Sequence, residues 1–375
     1  MNKHRIELLD SFRFIAILGV MLCHFTRAWL YVYPCGNGFQ HVFEYGYLGV
    51  QFFFMISGFV ISYTLENTPN LLSFYRNRFI RLFPPMLLCS LITFITVRLL
   101  DDHYLLRNAH ELKNLVPGLT FINPALWTLV TKTKFNWLNG SYWSLWVEIQ
   151  FYVISSAVYF LSKKHFFRNM LLVGIAVSII KYIPINLLNN HKEYVESHSL
   201  HTFFEGWRYG DELFNISFHI AWFLQGVIFY QLYKGFKMRQ NISVAIWSLI
   251  ALFCLVRDTR VFFPKAFNEM MIACFVMFAL FLLMIYRNKY LSFLKGAFLT
   301  RIGVISYSIY LIHEEIGVLL INKYSKYFGN WSGLLPFMVI VIVICFAELS
   351  YRFYERRVAL ALKRIFNKNK EGYIN

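Results

Sequence analysis

Ionisable side chains that fall inside long apolar stretches are costly to keep there, so they are the first places to look for chemistry. Five stand out: Arg13, His24, Glu148, His313 and Glu348, with Glu314 and Glu315 directly after the fourth. An imidazole with a carboxylate to orient it is what general-base activation of a hydroxyl needs. Arg13 and His24 are eleven residues apart, about three helical turns plus 20°. They therefore share one stripe of a helix, about 16 Å apart along its axis. His24, Glu148 and His313 each lie about six to eight residues below the same expected boundary of an apolar run, or about 9–12 Å deep at the helical rise. Three helices can bring them to one level, or they can face different neighbours; the spacing alone leaves both open.

A second constellation is Phe74-Tyr75-Arg76-Asn77-Arg78-Phe79-Ile80-Arg81, followed by Pro84-Pro85. Arg78 and Arg81 are i,i+3 neighbours, a spacing that suits fork-like binding of phosphate. They serve equally well as topology anchors. Ser57, between Ile56 and Gly58, could be a nucleophile, but small residues there suit close helix packing better. A zinc site from His24, His313 and Glu148 has no local ligand spacing behind it, so no metal is expected. Glu314 and Glu315 point about 100° apart on a helix, so at most one should share the site of His313.

The elements that must hold these residues are membrane spans. Of 375 residues, 58% are hydrophobic and only 15% charged, against about 25% charged in a soluble domain. Mean hydropathy is +0.48. A soluble globular protein, a disordered chain and a disulfide scaffold are excluded; the six cysteines are scattered. Ten stretches near the length of a bilayer crossing lie at about 12–31, 46–64, 80–99, 142–161, 170–188, 214–233, 242–256, 270–286, 302–321 and 333–352. The expected fold is all-α and polytopic.

Placing both termini on one side puts 22 Lys and Arg against five Asp and Glu there, and 13 against 11 on the other. The positive-inside rule makes the first side cytoplasmic, so the net charge of +17 reflects topology rather than nucleic-acid binding. Acidic Glu7 and Asp10, with Arg13 and His24 inside the run, favour a retained first helix over a cleaved signal. The external segment 100–141 contains Pro117, Pro124 and apolar patches, the pattern of a re-entrant segment. The expected organisation is one membrane domain over 5–356 and a basic cytoplasmic tail over 357–375, reading as a lipid-surface anchor.

Several of these blocks together resemble the acyltransferase 3 family of integral membrane O-acyltransferases, over about residues 5–356. Arg13 followed ten residues later by His24 is similar to that family's first-helix signature. Gly49 to Phe59, Arg78-Phe79-Ile80-Arg81 with Pro84, Ser144 to Tyr152, and Ile305 to His313 resemble four more of its blocks, in order. Tyr354-Glu355-Arg356 departs from the Glu-x-Pro that ends many members. The resemblance implies transfer of an acyl group, usually acetyl, from acetyl-CoA or another acyl-CoA to a sugar hydroxyl of an envelope glycan or glycolipid, at the inner (plasma) membrane. On it, Arg13, Arg78 and Arg81 hold the anionic end of the donor. His24 is the base, Glu148 orients it or contacts the sugar, and His313 completes the site. A covalent acyl-His intermediate and direct transfer both remain open. The rival class is a transporter or a lipid or glycan flippase, which would show related halves and interrupted helices; no half-to-half similarity is visible.

Overall fold

The computed structural model describes residues 6–29, 41–102, 104–190, 213–238, 255–260 and 264–371, with the single positions 210, 252 and 253. Among them no strand occurs. The helices are α1 (Glu7–Cys23), α2 (Gly49–Glu66), α3 (Leu71–Leu100), α4 (Leu115–Thr120), α5 (Pro124–Thr131), α6 (Trp143–Leu161), α7 (Phe166–Asn190), α8 (Ile220–Met238), α9 (Phe267–Tyr286), α10 (Ala297–Phe328), α11 (Leu335–Ser350) and α12 (Arg356–Glu371). A π-helical turn over His24–Ala28 continues α1, and a second over Tyr351–Glu355 joins α11 to α12.

Six helical stretches among the described residues are long and apolar enough to cross a membrane: Glu7–Ala28, Glu44–Glu66, Leu71–Leu100, Gly140–Leu161, Phe267–Tyr286 and Ala297–Phe366. The last contains two of the expected spans, in α10 and α11. The expected fifth and sixth spans are helical as α7 and α8. The seventh, at 242–256, lies largely outside the described residues, as does Cys35. Pro84 and Pro85, expected near the start of a span, instead sit in the middle of the 30-residue α3. Proline there leaves the carbonyls four residues back, at Ile80 and Arg81, without their helical donors.

The chain divides into two compact units. The first comprises Met1–Val50, Leu72–Leu145 and Leu294–Asn375; the second comprises Gln51–Leu71 and Trp146–Phe293. In the first unit α1 packs along α10, and α10 against α11. The α1–α10 approach is close enough that a Cβ on Gly303 would overlap the Asp10 carbonyl, so glycine is required there. Ser11 Oγ donates to the Leu294 carbonyl at 2.5 Å and tightens the same seam. Segment 100–141 does not loop away from the unit. Leu106, Ala109, Leu115, Leu138 and Tyr142 pack with Met86, Cys89 and Val97 of α3 and with Leu311 and Leu319 of α10. That packing carries Asn139 and Gly140 to the middle of α10.

In the second unit α8 packs against α7 and α9. Gly58 of α2 meets the Phe223 carbonyl of α8 so closely that a Cβ would overlap it, as the small residues around Ser57 suggest. The aromatic-rich composition fills this unit by ring contacts: Phe151 stacks on Phe223 at 4.2 Å and Phe229 on Phe281 at 4.6 Å.

Candidate active site

The regular geometry of α1 ends at Cys23, so the Arg13–His24 stripe holds along the whole intervening helix. His24 then opens the π-helical turn. Such turns insert one extra residue and are common at functional sites. Opposite stands His313 on α10. The two imidazole rings are 5.0 Å apart between centroids and tilted by 43°. His24 is partly open, with its side chain 20% exposed, whereas His313 is fully buried. Sequence spacing alone left this meeting open; the fold brings the two histidines together.

The carboxylate beside His24 is Glu314, whose Oε1 lies 3.5 Å from His24 Nδ1. That is ion-pair distance, long for a hydrogen bond, and Glu314 is itself 12% exposed. His313 donates from Nδ1 to the Tyr310 carbonyl at 2.8 Å. This bond assigns the ring hydrogen to Nδ1 and leaves Nε2 as the lone-pair nitrogen. Nε2 is buried and has no hydrogen-bond partner among the described residues. Glu315, buried, accepts the Gly140 N–H at 2.6 Å. A Cβ on Gly140 would also lie 3.2 Å from the Glu314 carboxylate oxygens, so a bare glycine lets two adjacent acids close around one turn.

That turn is built from Asn139-Gly140-Ser141. Asn139 caps the helical entry by accepting the Ser141 N–H at 2.9 Å, and its Nδ2 donates to the Leu311 carbonyl at 3.2 Å. Tyr310, one turn before His313, donates to the Ser141 carbonyl at 3.0 Å and shares a 2.7 Å hydrogen bond with Ser144 Oγ. Asn139, Gly140 and Tyr310 thus join the site without having been singled out for it; of the two acids noted after His313, Glu314 turns to His24 and Glu315 to Gly140. Three ionisable residues in a row within an apolar helix, and an Asn-Gly-Ser turn before the next span, were the signals available.

The remaining expected site residues are placed as follows. Glu148 belongs to the second unit, where it accepts hydrogen bonds from Ser57 Oγ and, at 2.7 Å, from Tyr152 Oη. Arg13 pairs with the buried Asp10 at 2.9 Å. Arg78 is buried, its guanidinium 5.6 Å from the Phe74 ring centroid. Arg81 lines a cavity of about 560 Å³ between α3 and the stretch from Tyr351 to Lys363. Glu348 accepts two hydrogen bonds from Arg301, at 2.7 and 2.9 Å, and one from Arg352. This bidentate clasp between α10 and α11 assigns Glu348 to the scaffold.

Fold and site together define an all-helical membrane protein with two facing imidazoles, one of them beside a carboxylate. Residues 6–348 match the acyltransferase domain family (Acyl_transf_3), and the chain belongs to that family. It is 25% identical to a protein of Staphylococcus aureus strain COL provisionally named an O-acetyltransferase, and 24% identical to O-acetyltransferase OatA of Staphylococcus aureus strain NCTC 8325. Each match covers 92% of this chain but 56% of the relative. Acyltransferase MdmB of Streptomyces mycarofaciens is 28% identical over 47% of this chain and 45% of its own length. The chain thus spans little more than half the length of these staphylococcal relatives. No solved structure matches it.

Proposed function

We propose that the protein is a membrane O-acyltransferase that moves an acyl group, acetyl by preference, from acyl-CoA to a sugar hydroxyl of a cell-envelope glycan or glycolipid, in the plasma membrane. The observation that carries this reading is the His24–Glu314 pair with the His313 ring 5.0 Å away. With Nδ1 turned to Glu314, His24 Nε2 takes the proton of the acceptor hydroxyl. The hydroxyl oxygen then bonds to the thioester carbonyl carbon, the carbon–sulfur bond breaks, and the imidazolium returns its proton to the departing thiolate. Glu314 stabilises the imidazolium while it carries charge. His313, with a buried lone pair at Nε2, offers a fixed acceptor beside the reacting hydroxyl.

The family membership and the names of the relatives support acyl transfer as the reaction class. The donor fits the basic helix entry of α3: Arg81 lines a cavity large enough for part of a nucleotide, and Arg78 lies one turn before it on the same helix. Glu148, held by Ser57 and Tyr152, is a preset carboxylate acceptor, suited to a sugar hydroxyl. The basic tail would lie on the cytoplasmic side with both termini.

The test is turnover by His24→Ala at matched membrane abundance, with coenzyme A binding measured in parallel. General-base catalysis contributes about 10²–10⁴-fold, so activity should fall by that factor while donor binding persists. His219→Ala is the control, because His219 is a buried histidine packed 5.1 Å from the Phe54 ring in the second unit. If His24→Ala keeps most activity and His219→Ala loses it, the assignment fails.

A further inference from the structure

The tail helix α12 lies outside the residues matched by the family, yet it is not loose from the fold. Arg76 of α3 donates to the Phe366 carbonyl at 3.5 Å, and the Phe79 and Phe366 rings meet edge-on with centroids 6.4 Å apart. Docked in this way, α12 helps to wall the cavity of about 560 Å³ that Arg81 lines from α3. Its contributions, Arg356, Ala359, Leu360 and Lys363, are spaced i, i+3, i+4 and i+7, so they form one face of the helix. Asn77, Pro84 and Pro85 line the cavity from α3.

The cavity therefore gathers three cations, Arg81, Arg356 and Lys363, and one acid, Glu355. That acid is turned inward: buried, it accepts from Ser308 Oγ at 2.7 Å and Ser350 Oγ at 2.5 Å. Its hydroxyl partners leave the cations to face the open space. Three positive groups around a volume of this size match a ligand carrying several phosphates.

We propose that α12 forms one wall of the pocket for the phosphate end of the acyl-CoA donor, with Arg356 and Lys363 binding phosphate oxygens alongside Arg81. This rests on the acyl-CoA donor proposed above. It gives the tail a role in substrate binding in place of a general attraction to the lipid surface. The headgroup phosphate of an anionic lipid shares the same chemistry, and the experiment separates the two.

The full chain is purified in detergent and titrated with coenzyme A by calorimetry, as wild type, Arg356→Gln, Lys363→Gln and Lys363→Arg. Arg357→Gln is the charge-matched control, since Arg357 is exposed and does not line the cavity. Loss of one charge-assisted phosphate contact should raise the Kd by about tenfold. That rise is expected for Arg356→Gln and Lys363→Gln, with near wild-type binding by Lys363→Arg and Arg357→Gln. The same proteins are then tested for binding to phosphatidylglycerol nanodiscs. Unchanged coenzyme A binding in both Gln variants overturns the proposal. So does an equal loss in Arg357→Gln, or a loss confined to phosphatidylglycerol. If wild type binds no coenzyme A at all, the donor assignment itself falls, an outcome distinct from wild-type binding that the variants leave intact.

Discussion

Glu314→Gln is the perturbation that most directly tests the electrostatics of the site, because it removes one charge and preserves shape. The Glu314 Oε1 to His24 Nδ1 separation is 3.5 Å. At that distance a full charge pair is worth about 5 kcal/mol at an effective dielectric of about 20 and about 1 kcal/mol in bulk water. Both side chains are mostly, but not wholly, withdrawn from solvent, at 20% and 12% exposure. The interaction with the imidazolium formed during turnover therefore falls between those limits, at about 2–3 kcal/mol. Removing it should lower kcat by about 30- to 150-fold. Since Glu314 pairs with His24 and does not line the cavity proposed for the donor, the KM for acyl-CoA should hold.

The assay is steady-state acyl transfer in membranes at matched protein abundance, with acyl-CoA varied. Glu315→Gln is the comparison, because an amide oxygen at 315 can still accept the Gly140 N–H that Glu315 now receives at 2.6 Å. It should retain most of kcat. If Glu314→Gln stays within about threefold of wild type, or if its defect appears in KM alone, then Glu314 does not support the charged base and the proposed proton path is wrong.

Arg81→Ala should raise the KM for acyl-CoA by about tenfold through loss of a phosphate contact, whereas Arg78→Ala should also lower folded yield, because Arg78 is buried against Phe74; kinetics and quantitative blotting separate the two. Gly303→Val should cost about 3 kcal/mol or more, since the added atoms collide with backbone at Asp10 and cannot be accommodated by a side-chain shift. Gly296→Ala, where a Cβ would meet nothing within 4 Å, should leave thermal stability in detergent within about 0.5 kcal/mol. A reporter fused after Asn375 should be active only in its cytoplasmic form; activity of a periplasm-dependent reporter there would overturn the orientation drawn from the charge asymmetry.

Much of the helical framework could be read from hydropathy, because a bilayer-length apolar run has few alternatives to helix. The spans expected at 46–64 and 142–161 fall on α2 and α6 with end shifts of three residues or fewer, and the one expected at 12–31 falls on α1 and its π-helical turn, which begin five residues earlier. Where the reading was less complete, tertiary contacts explain the difference. The span expected at 80–99 has Pro84 and Pro85 near its start, but α3 begins at Leu71 and carries both in its interior. Segment 100–141 read as re-entrant; what the sequence did not show is how it is held, by Leu106, Leu115 and Leu138 packing on α3 and α10, contacts that local sequence does not encode. Glu348 drew attention as an intramembrane acid, and its partners Arg301 and Arg352 explain it as a helix clasp. Arg352 lies at i+4 and was legible; Arg301, 47 residues away, was not.

The histidine site shows why consecutive ionisable residues in an apolar helix carry more information than isolated ones. His313, Glu314 and Glu315 follow one another on α10, so their side chains leave the helix about 100° apart and their polar atoms point in different directions. Each must find a separate polar neighbour, or remain buried at a cost of several kcal/mol. The fold supplies three: the Tyr310 carbonyl for His313, the His24 imidazole for Glu314 and the Gly140 N–H for Glu315. Two of the three come from other parts of the chain, α1 and the turn before α6. The triplet therefore fixes α10 against both elements at once. A substitution at Gly140 in the Asn139-Gly140-Ser141 turn would reach His24 by that route: a Cβ there would lie 3.2 Å from the Glu314 carboxylate oxygens, so the carboxylate beside the proposed base would be displaced by a change in a turn outside both α1 and α10.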